Sequence, residues 1–342
     1  MDKWMSGKQL PVIEKEQVYF IYRNRRDIPV FLTGDMNGWQ KEAIPFLKII
    51  GTDYYYCEQH YNSTTRLEYK FIVDDKWILD SLNVKRSFGG YGKNSLLLMP
   101  GYEYSPYILQ DRQKSYTALD SSKFKSHTMS RVYDTWFYRN VQADSSSPLL
   151  IFNDGGDYLK YGYTGIVLDN LIQDKKIPPC QALFFQPKKR MKEYWIDKKF
   201  TQMMFNEYLP WVERKFKIDK NAPRYMGGVS LGGLCAFYAL SIGKLNGAFA
   251  QSPSFWVDSV KIIDQLRTAN LEKQKLYFDF GILEKQDTVQ NKMKVFLESR
   301  ALQFKQNIWQ EGHNWGNWRT HLDRALIYLL NPVGKALTLS QN

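Results

Sequence analysis

The 342-residue chain is 44% hydrophobic and carries 47 Lys and Arg against 35 Asp and Glu, a formal net charge of +12. That length supports a sizeable core and favours two domains. No apolar run is long enough to span a bilayer, and Cys57, Cys180 and Cys235 are too few and scattered for a disulfide framework or a zinc site, so they read as packed thiols and neither metal nor cofactor is expected.

The positive field favours anionic ligands, but the basic residues are dispersed and no nucleic-acid-binding motif is present, so neither nucleic acid nor membrane is an expected partner. The start, Met1-Asp-Lys-Trp-Met-Ser-Gly-Lys, lacks an apolar signal core, and a cytoplasmic location is expected, a trimmed secreted protein being the alternative. The residues do not address the oligomeric state.

Residues 11–105 alternate short aromatic and β-branched runs (18–22, 30–33, 54–57, 67–73, 95–99) with turn residues such as Gly34-Asp-Met-Asn-Gly38 and Asp74-Asp75. Strands at this spacing predict a small antiparallel, immunoglobulin-like β-sandwich. Within it Phe31-Leu-Thr-Gly-Asp-Met-Asn-Gly-Trp39, Tyr69-Lys-Phe-Ile-Val-Asp-Asp-Lys-Trp77 and Gly92-Lys-Asn94-Ser95 resemble the glycogen-binding module of the AMP-activated kinase beta subunit and of isoamylase-type enzymes. The resemblance implies that Trp39 and Trp77 stack on sugar rings, that Lys70 and Asn94 bond hydroxyls, and that a glucan is a partner. The alternative is that both tryptophans pack a core. Residues 106–130 are polar and read as a linker.

From 131 to 334 apolar strand-like runs alternate with helical segments, which predicts an α/β domain. Strands are expected at 132–140, 149–153, 182–186, 224–229, 247–251, 276–280 and 305–310, and the longest helix at about 194–217, kinked at Pro210. After the run at 149–153 comes Asp154-Gly155-Gly156-Asp157, where a glycine lets backbone approach a ligand closely; Gly156 is the expected second oxyanion donor. Arg190 and Arg319 are candidates for bidentate contact with an anionic substrate, structural pairing with Glu193 or another acid being the alternative. Trp315 and Trp318 flank a later loop, where they wall a substrate pocket or pack the loop itself.

Gly228-Val229-Ser230-Leu231-Gly232 follows one of these strands and opens a helix-like run, the setting in which serine becomes a nucleophile at a sharp turn. Gly233 is expected to bring helix and strand together, and the Leu231 N–H to form one oxyanion donor. Downstream, 276–280 ends near Glu284, and 307–310 leads to Gly312-His313. Serine, acid, histidine is the chain order of an α/β-hydrolase. Of the later histidines His313 lies on a loop and His321 on a helical pattern, so His313 is the expected base. For the acid, Glu284 ranks before Asp287, which reads as a helix cap, and Asp279, inside the strand.

Ile151-Phe-Asn-Asp-Gly-Gly-Asp, Arg190-Met-Lys-Glu193-Tyr194, Tyr208-Leu-Pro-Trp-Val-Glu213, Gly228-Val-Ser-Leu-Gly-Gly, Gln251-Ser-Pro-Ser-Phe-Trp256 and Gly312-His-Asn-Trp-Gly-Asn-Trp-Arg319 together resemble the esterase family that includes esterase D and the enterochelin (enterobactin) esterases. The resemblance implies an α/β-hydrolase fold, Ser230 and His313 as catalytic residues, Glu284 in the acid position and the residue after Asp154-Gly155 as an oxyanion donor. It leaves the substrate open between a siderophore ester and a glycan carrying acetyl or feruloyl groups. A glucan-binding protein with an inert hydrolase half is the reading from outside enzymology.

Overall fold

The computed structural model describes residues 9–41, 44–90, 92–109 and 119–331. The start at 1–8, residues 110–118 of the expected linker and 332–334 of the expected catalytic domain lie outside the described residues. The chain divides into two compact units. One holds the described residues through Tyr104 together with Phe280–Asp287 and Ile308–Asn317; the other holds Ser105–Asp279, Thr288–Asn307 and the residues from Trp318 onward.

In the first unit, β1 (Val12–Glu14), β2 (Gln17–Arg23), β5 (Leu47–Lys48) and β6 (Tyr54–His60) form a sheet of order β1-β2-β6-β5. A second sheet has the order β4-β3-β7-β10-β9, from β3 (Val30–Gly34), β4 (Ile44–Pro45), β7 (Arg66–Val73), β9 (Arg86–Gly89) and β10 (Gly92–Leu98), with β8 (Lys76–Ile78) also on β7. Among the described residues the strands of both sheets pair antiparallel. Side chains alternate across a strand, and β7 shows the consequence. Leu67, Tyr69, Phe71 and Val73 join the sandwich core with Phe20, Val30, Leu32, Tyr55 and Leu97. Arg66, Glu68, Lys70 and Ile72 therefore occupy the opposite face.

The second unit is built on an eight-stranded sheet of order β11-β12-β14-β13-β15-β16-β17-β18. Its strands are β11 (Asp120–Ser126), β12 (Arg131–Arg139), β13 (Leu149–Asn153), β14 (Gln181–Phe185), β15 (Arg224–Val229), β16 (Gly247–Gln251), β17 (Lys275–Gly281) and β18 (Phe304–Trp309). β11, β12 and β14 pair antiparallel, whereas β14, β13, β15, β16 and β17 run parallel. β13, β14 and β16 are buried at every position, as strands covered on both faces are. Helix Leu231–Leu240 is likewise buried at all its positions. This is the mixed α/β architecture expected, preceded by an antiparallel β-sandwich. Among the described residues no helix is long and apolar enough to cross a membrane.

Two local expectations are corrected. Residues 120–126, assigned to a linker, form β11, an edge strand in which Phe124 pairs with Tyr133 and is 3% exposed. Its other positions are polar: residues 120–123 and 125 are exposed or half-buried, while the buried Ser126 donates to Glu207. The helix expected over 194–217 is not continuous: Ile196 has φ +50°, Asp197 caps a helix at Lys198–Met203, and a π-helical turn at Met204–Tyr208 precedes Leu209–Phe216. Pro210 cannot donate to the carbonyl four residues back, and the wider turn accommodates the missing bond. All three cysteines are free and buried, and burial pushes the Cys57 thiol up to about 11.

Candidate active site

Ser230 stands between β15 and the buried helix with φ +56° and ψ −120°, a strained conformation for a residue with a side chain. The sequence permits it by omitting neighbouring side chains. A Cβ on Gly228 would lie 2.5 Å from the Gly232 carbonyl carbon, and one on Gly233 would lie 2.9 Å from the Ala250 Cβ. Ser230 N–H donates to the Gln251 carbonyl at 2.9 Å, and its Oγ shares a hydrogen bond with Ser254 Oγ at 3.0 Å. Leu231 opens the helix, so its N–H is among the donors that have no partner within the helix.

The loop after β13 is fixed to this turn. Asp154 has φ +57° and is buried, and Arg190 grips it through Nε to Oδ1 and Nη2 to Oδ2, both at 2.8 Å. Arg190 Nη2 also donates to the carbonyl of Val229, the residue before Ser230, at 3.2 Å. Burial raises the Asp154 carboxyl above its ordinary value and the guanidinium opposes that rise. Arg190 is thus engaged as a clamp between two loops, the ion-pair alternative in the sequence reading, with Asp154 rather than Glu193 as its acid. Gly155 is required sterically, since its Cβ would fall 2.2 Å from the Phe184 carbonyl carbon. Gly156, the expected oxyanion donor, gives its N–H to Gln186 Oε1 at 2.9 Å, so in this structure that donor is already in use.

In the first unit the expected acid and the expected base meet. Glu284 ends the 3-10 turn Ile282–Glu284, and its Oε1 accepts from the Gly281 N–H at 2.8 Å. His313 Nδ1 lies 2.8 Å from Glu284 Oε2; the Glu284 side chain is 1% exposed and that of His313 38%. A carboxylate only accepts, so Nδ1 carries the hydrogen and that tautomer presents Nε2 as an acceptor. The alternatives have other duties. Asp279 accepts from Tyr277 Oη at 3.0 Å, Asp287 begins helix Asp287–Ser299, and His321 sits within helix Trp315–Leu330.

Residues flanking His313 are bound to the sandwich face that Arg66 and Glu68 share, a connection that sequence reasoning missed. Asn314 donates through Nδ2 to Asp35 Oδ2 and accepts at Oδ1 from Arg66 Nη1, both at 2.8 Å. Arg66 and Asp35 are fully enclosed, and Arg66 N–H also donates to the Gln310 carbonyl at 3.0 Å. A Cβ on Gly312 would lie 2.3 Å from Asp35 Cγ, and one on Gly316 1.8 Å from Arg66 Nη2. The only sequence signals were a charged Arg66 and Glu68 at alternate positions of a strand and the glycines on either side of His313.

The remaining candidates are accounted for. Trp315 is 7% exposed and packs by Gly89. Trp318 donates from Nε1 to Ser252 Oγ at 2.9 Å, while Arg319 donates to the Tyr161 carbonyl at 3.2 Å and lies over the Tyr163 ring. Trp315 and Trp318 therefore pack, and Arg319 is engaged by protein groups. The sandwich candidates share the outer face of the second sheet. Thr33 is opposite Lys70, Trp77 is opposite Ile72, and Asn94 precedes Ser95, whose partner Tyr69 points to the core. Trp39 and Trp77 lie nearly parallel, 17° between planes with centroids 6.3 Å apart. Trp39 Nε1 donates to Asp35 Oδ1 at 3.1 Å, and Asn94 Nδ2 to Glu68 Oε2 at 2.7 Å.

The model of the Esterase family, described as Putative esterase, matches residues 126–329, more than half of the chain. This chain belongs to that family. It is accordingly a hydrolase that acts on esters. The enterobactin esterase of Shigella flexneri, solved in the presence of enterobactin, is similar over 97% of this chain and 98% of that one, with a TM-score of 0.79 at 21% identity. The ferric enterobactin esterase of Salmonella typhimurium is similar over 97% and 99%, with a TM-score of 0.79 at 20% identity. A ferulic acid esterase matches 64% of this chain and 99% of its own, with a TM-score of 0.54 at 13% identity. At these identities the likeness is one of fold. A comparison with curated protein sequences finds no match.

Proposed function

We propose that this esterase works by a Ser-His-acid mechanism through an acyl-enzyme, with Ser230 as nucleophile, His313 as base and Glu284 orienting the imidazole. The observation that carries the reading is the pairing of His313 Nδ1 with the enclosed Glu284 carboxylate, in a chain whose Ser230 occupies a positive-φ elbow. Nε2 of His313 takes the hydroxyl proton as Ser230 Oγ attacks the ester carbonyl, and the resulting imidazolium is stabilised by Glu284. The oxyanion is met by the Leu231 N–H and by the loop after Asp154, where the Gly156 N–H must exchange Gln186 for substrate. Collapse expels the alcohol, which takes the proton from His313. Water then enters by the same steps in reverse roles and releases the acid.

The leading substrate is a siderophore-type ester. Supporting it are the shared fold with two enterobactin esterases over nearly the full chain, sandwich included, and a net charge of +12 that favours an anionic substrate. Hydrolysis of ferric enterobactin, compared with acetylated xylan and feruloylated sugars, tests this choice: preference for either glycan ester overturns it. A role for the sandwich in holding sugar is a second reading, favoured by the near-parallel Trp39 and Trp77, the latter 42% exposed. Retention on amylose that disappears in the Trp39→Ala, Trp77→Ala double variant supports it, and absence of retention in the native protein removes it.

A further inference from the structure

We infer that Asp35 and Arg66, on the sandwich, are positioning residues for the catalytic base, acting through Asn314. The inference rests on the reading of His313 as that base and adds the residues that hold it.

A loop that carries a general base must hold it within a fraction of an ångström, because proton transfer is lost quickly with misplacement. Glu284 tethers the His313 ring at Nδ1, and the adjoining residues, Gly312 and Asn314, are small or polar rather than apolar anchors. What fixes Asn314 is a set of side-chain hydrogen bonds. Asn314 Oδ1 accepts from Arg66 Nη1 at 2.8 Å and from the Asn317 N–H at 3.1 Å, so this one side chain also caps the helix that begins at Trp315. Its Nδ2 donates to Asp35 Oδ2 at 2.8 Å.

Asp35 is itself held on three sides by donors: Asn314, the Glu68 N–H at 2.8 Å and the Trp39 indole at 3.1 Å. Arg66 is held by Glu68 Oε1 at 2.9 Å and Ser87 Oγ at 2.8 Å, with Glu311 Oε2 3.6 Å away. Hydrogen bonds to charged partners are shorter and stronger than neutral ones. The glycines complete the fit: any side chain at position 312 or 316 would displace Asp35 or Arg66. Packing alone needs no such set. Burying an arginine and two carboxylates is unfavourable unless each is paired, and the pairing here converges on the residue after His313.

Asn314→Asp separates the two contacts. An aspartate keeps an acceptor for Arg66 and for the helix cap but places a carboxylate against Asp35. For p-nitrophenyl butyrate we expect kcat to fall about 10- to 100-fold with KM within about threefold, the pattern of a group that acts in the transition state. The downfield proton resonance of the His313 Nδ1–H is expected to broaden or move, which loss of a purely structural contact would not cause. The reversed pair Asp35→Asn with Asn314→Asp restores a donor facing an acceptor, and is expected to be more active than Asn314→Asp alone. If Asn314→Asp does not fold, Asp35→Asn carries the same two measurements. Native kcat and an unchanged resonance in the folded variant, with His313→Ala inactive, overturn the positioning role alone. Native turnover in His313→Ala overturns the base assignment beneath it.

Discussion

Glu284 holds His313 through one carboxylate oxygen and the Gly281 N–H through the other, at 2.8 Å each, so this carboxylate is fixed to its own strand end as well as to the imidazole. Glu284→Gln keeps the shape but offers an amide that can donate to Nδ1 and favour the wrong tautomer. Its kcat on a short p-nitrophenyl ester is expected to fall by about 10²–10⁴ with little change in KM. Steady-state kinetics checks this; a variant with native kcat removes Glu284 from the mechanism.

Arg190 bonds both oxygens of an enclosed Asp154 and the carbonyl of Val229, the residue before Ser230. Arg190→Met leaves that carboxylate without its partner and is expected to cost about 2–4 kcal/mol of stability, discounted because the arginine side chain is partly exposed. Arg190→Lys should recover little, since one ammonium cannot match a two-point grip. Urea unfolding distinguishes these outcomes, and native stability in both variants refutes the clamp.

Gly228 meets Gly232 so closely that an added methyl group has no room. Gly228→Ala is expected to destabilise the fold by about 1–3 kcal/mol and to disturb the Ser230 turn, lowering kcat beyond the loss of folded protein. Thermal unfolding combined with turnover per folded molecule measures both effects.

Burial and the neighbouring Glu68 carboxylate push Asp35 up to about 7, against the pull of the Glu68 N–H, Arg66 and the Trp39 indole. The folded state therefore binds this proton more tightly than the unfolded chain does. The stabilisation from that proton is complete below the ordinary aspartate range, is lost as pH rises toward about 7, and does not change above it. Asp35→Asn should flatten the corresponding fall in Tm between pH 5 and 7, measured by calorimetry. An identical slope in the variant contradicts the shift.

The strands of the parallel sheet were legible because both of their faces are covered, which makes them continuous apolar runs: 149–153 and 247–251 coincide with β13 and β16. β4 and β5, two residues each, are too short to show any alternation, and β11 hides one buried phenylalanine among polar residues. Within the candidate site, glycines and chain order single out Ser230, Glu284 and His313, and the structure pairs the last two. The partners of Gly156 and Arg190, Gln186 and Asp154, are set by tertiary packing and leave no local mark in the sequence. The ties from Asn314 to Asp35 and Arg66 cross more than two hundred positions of chain, and no local pattern carries them.

The Ser230 hydroxyl is proposed to form the acyl-enzyme. Treatment with a fluorophosphonate followed by intact-protein and peptide mass spectrometry tests it most directly. A single adduct on the peptide containing Ser230, absent in Ser230→Ala and formed far more slowly in His313→Ala, is the predicted result. An adduct on a different residue, or native ester turnover by Ser230→Ala, contradicts it.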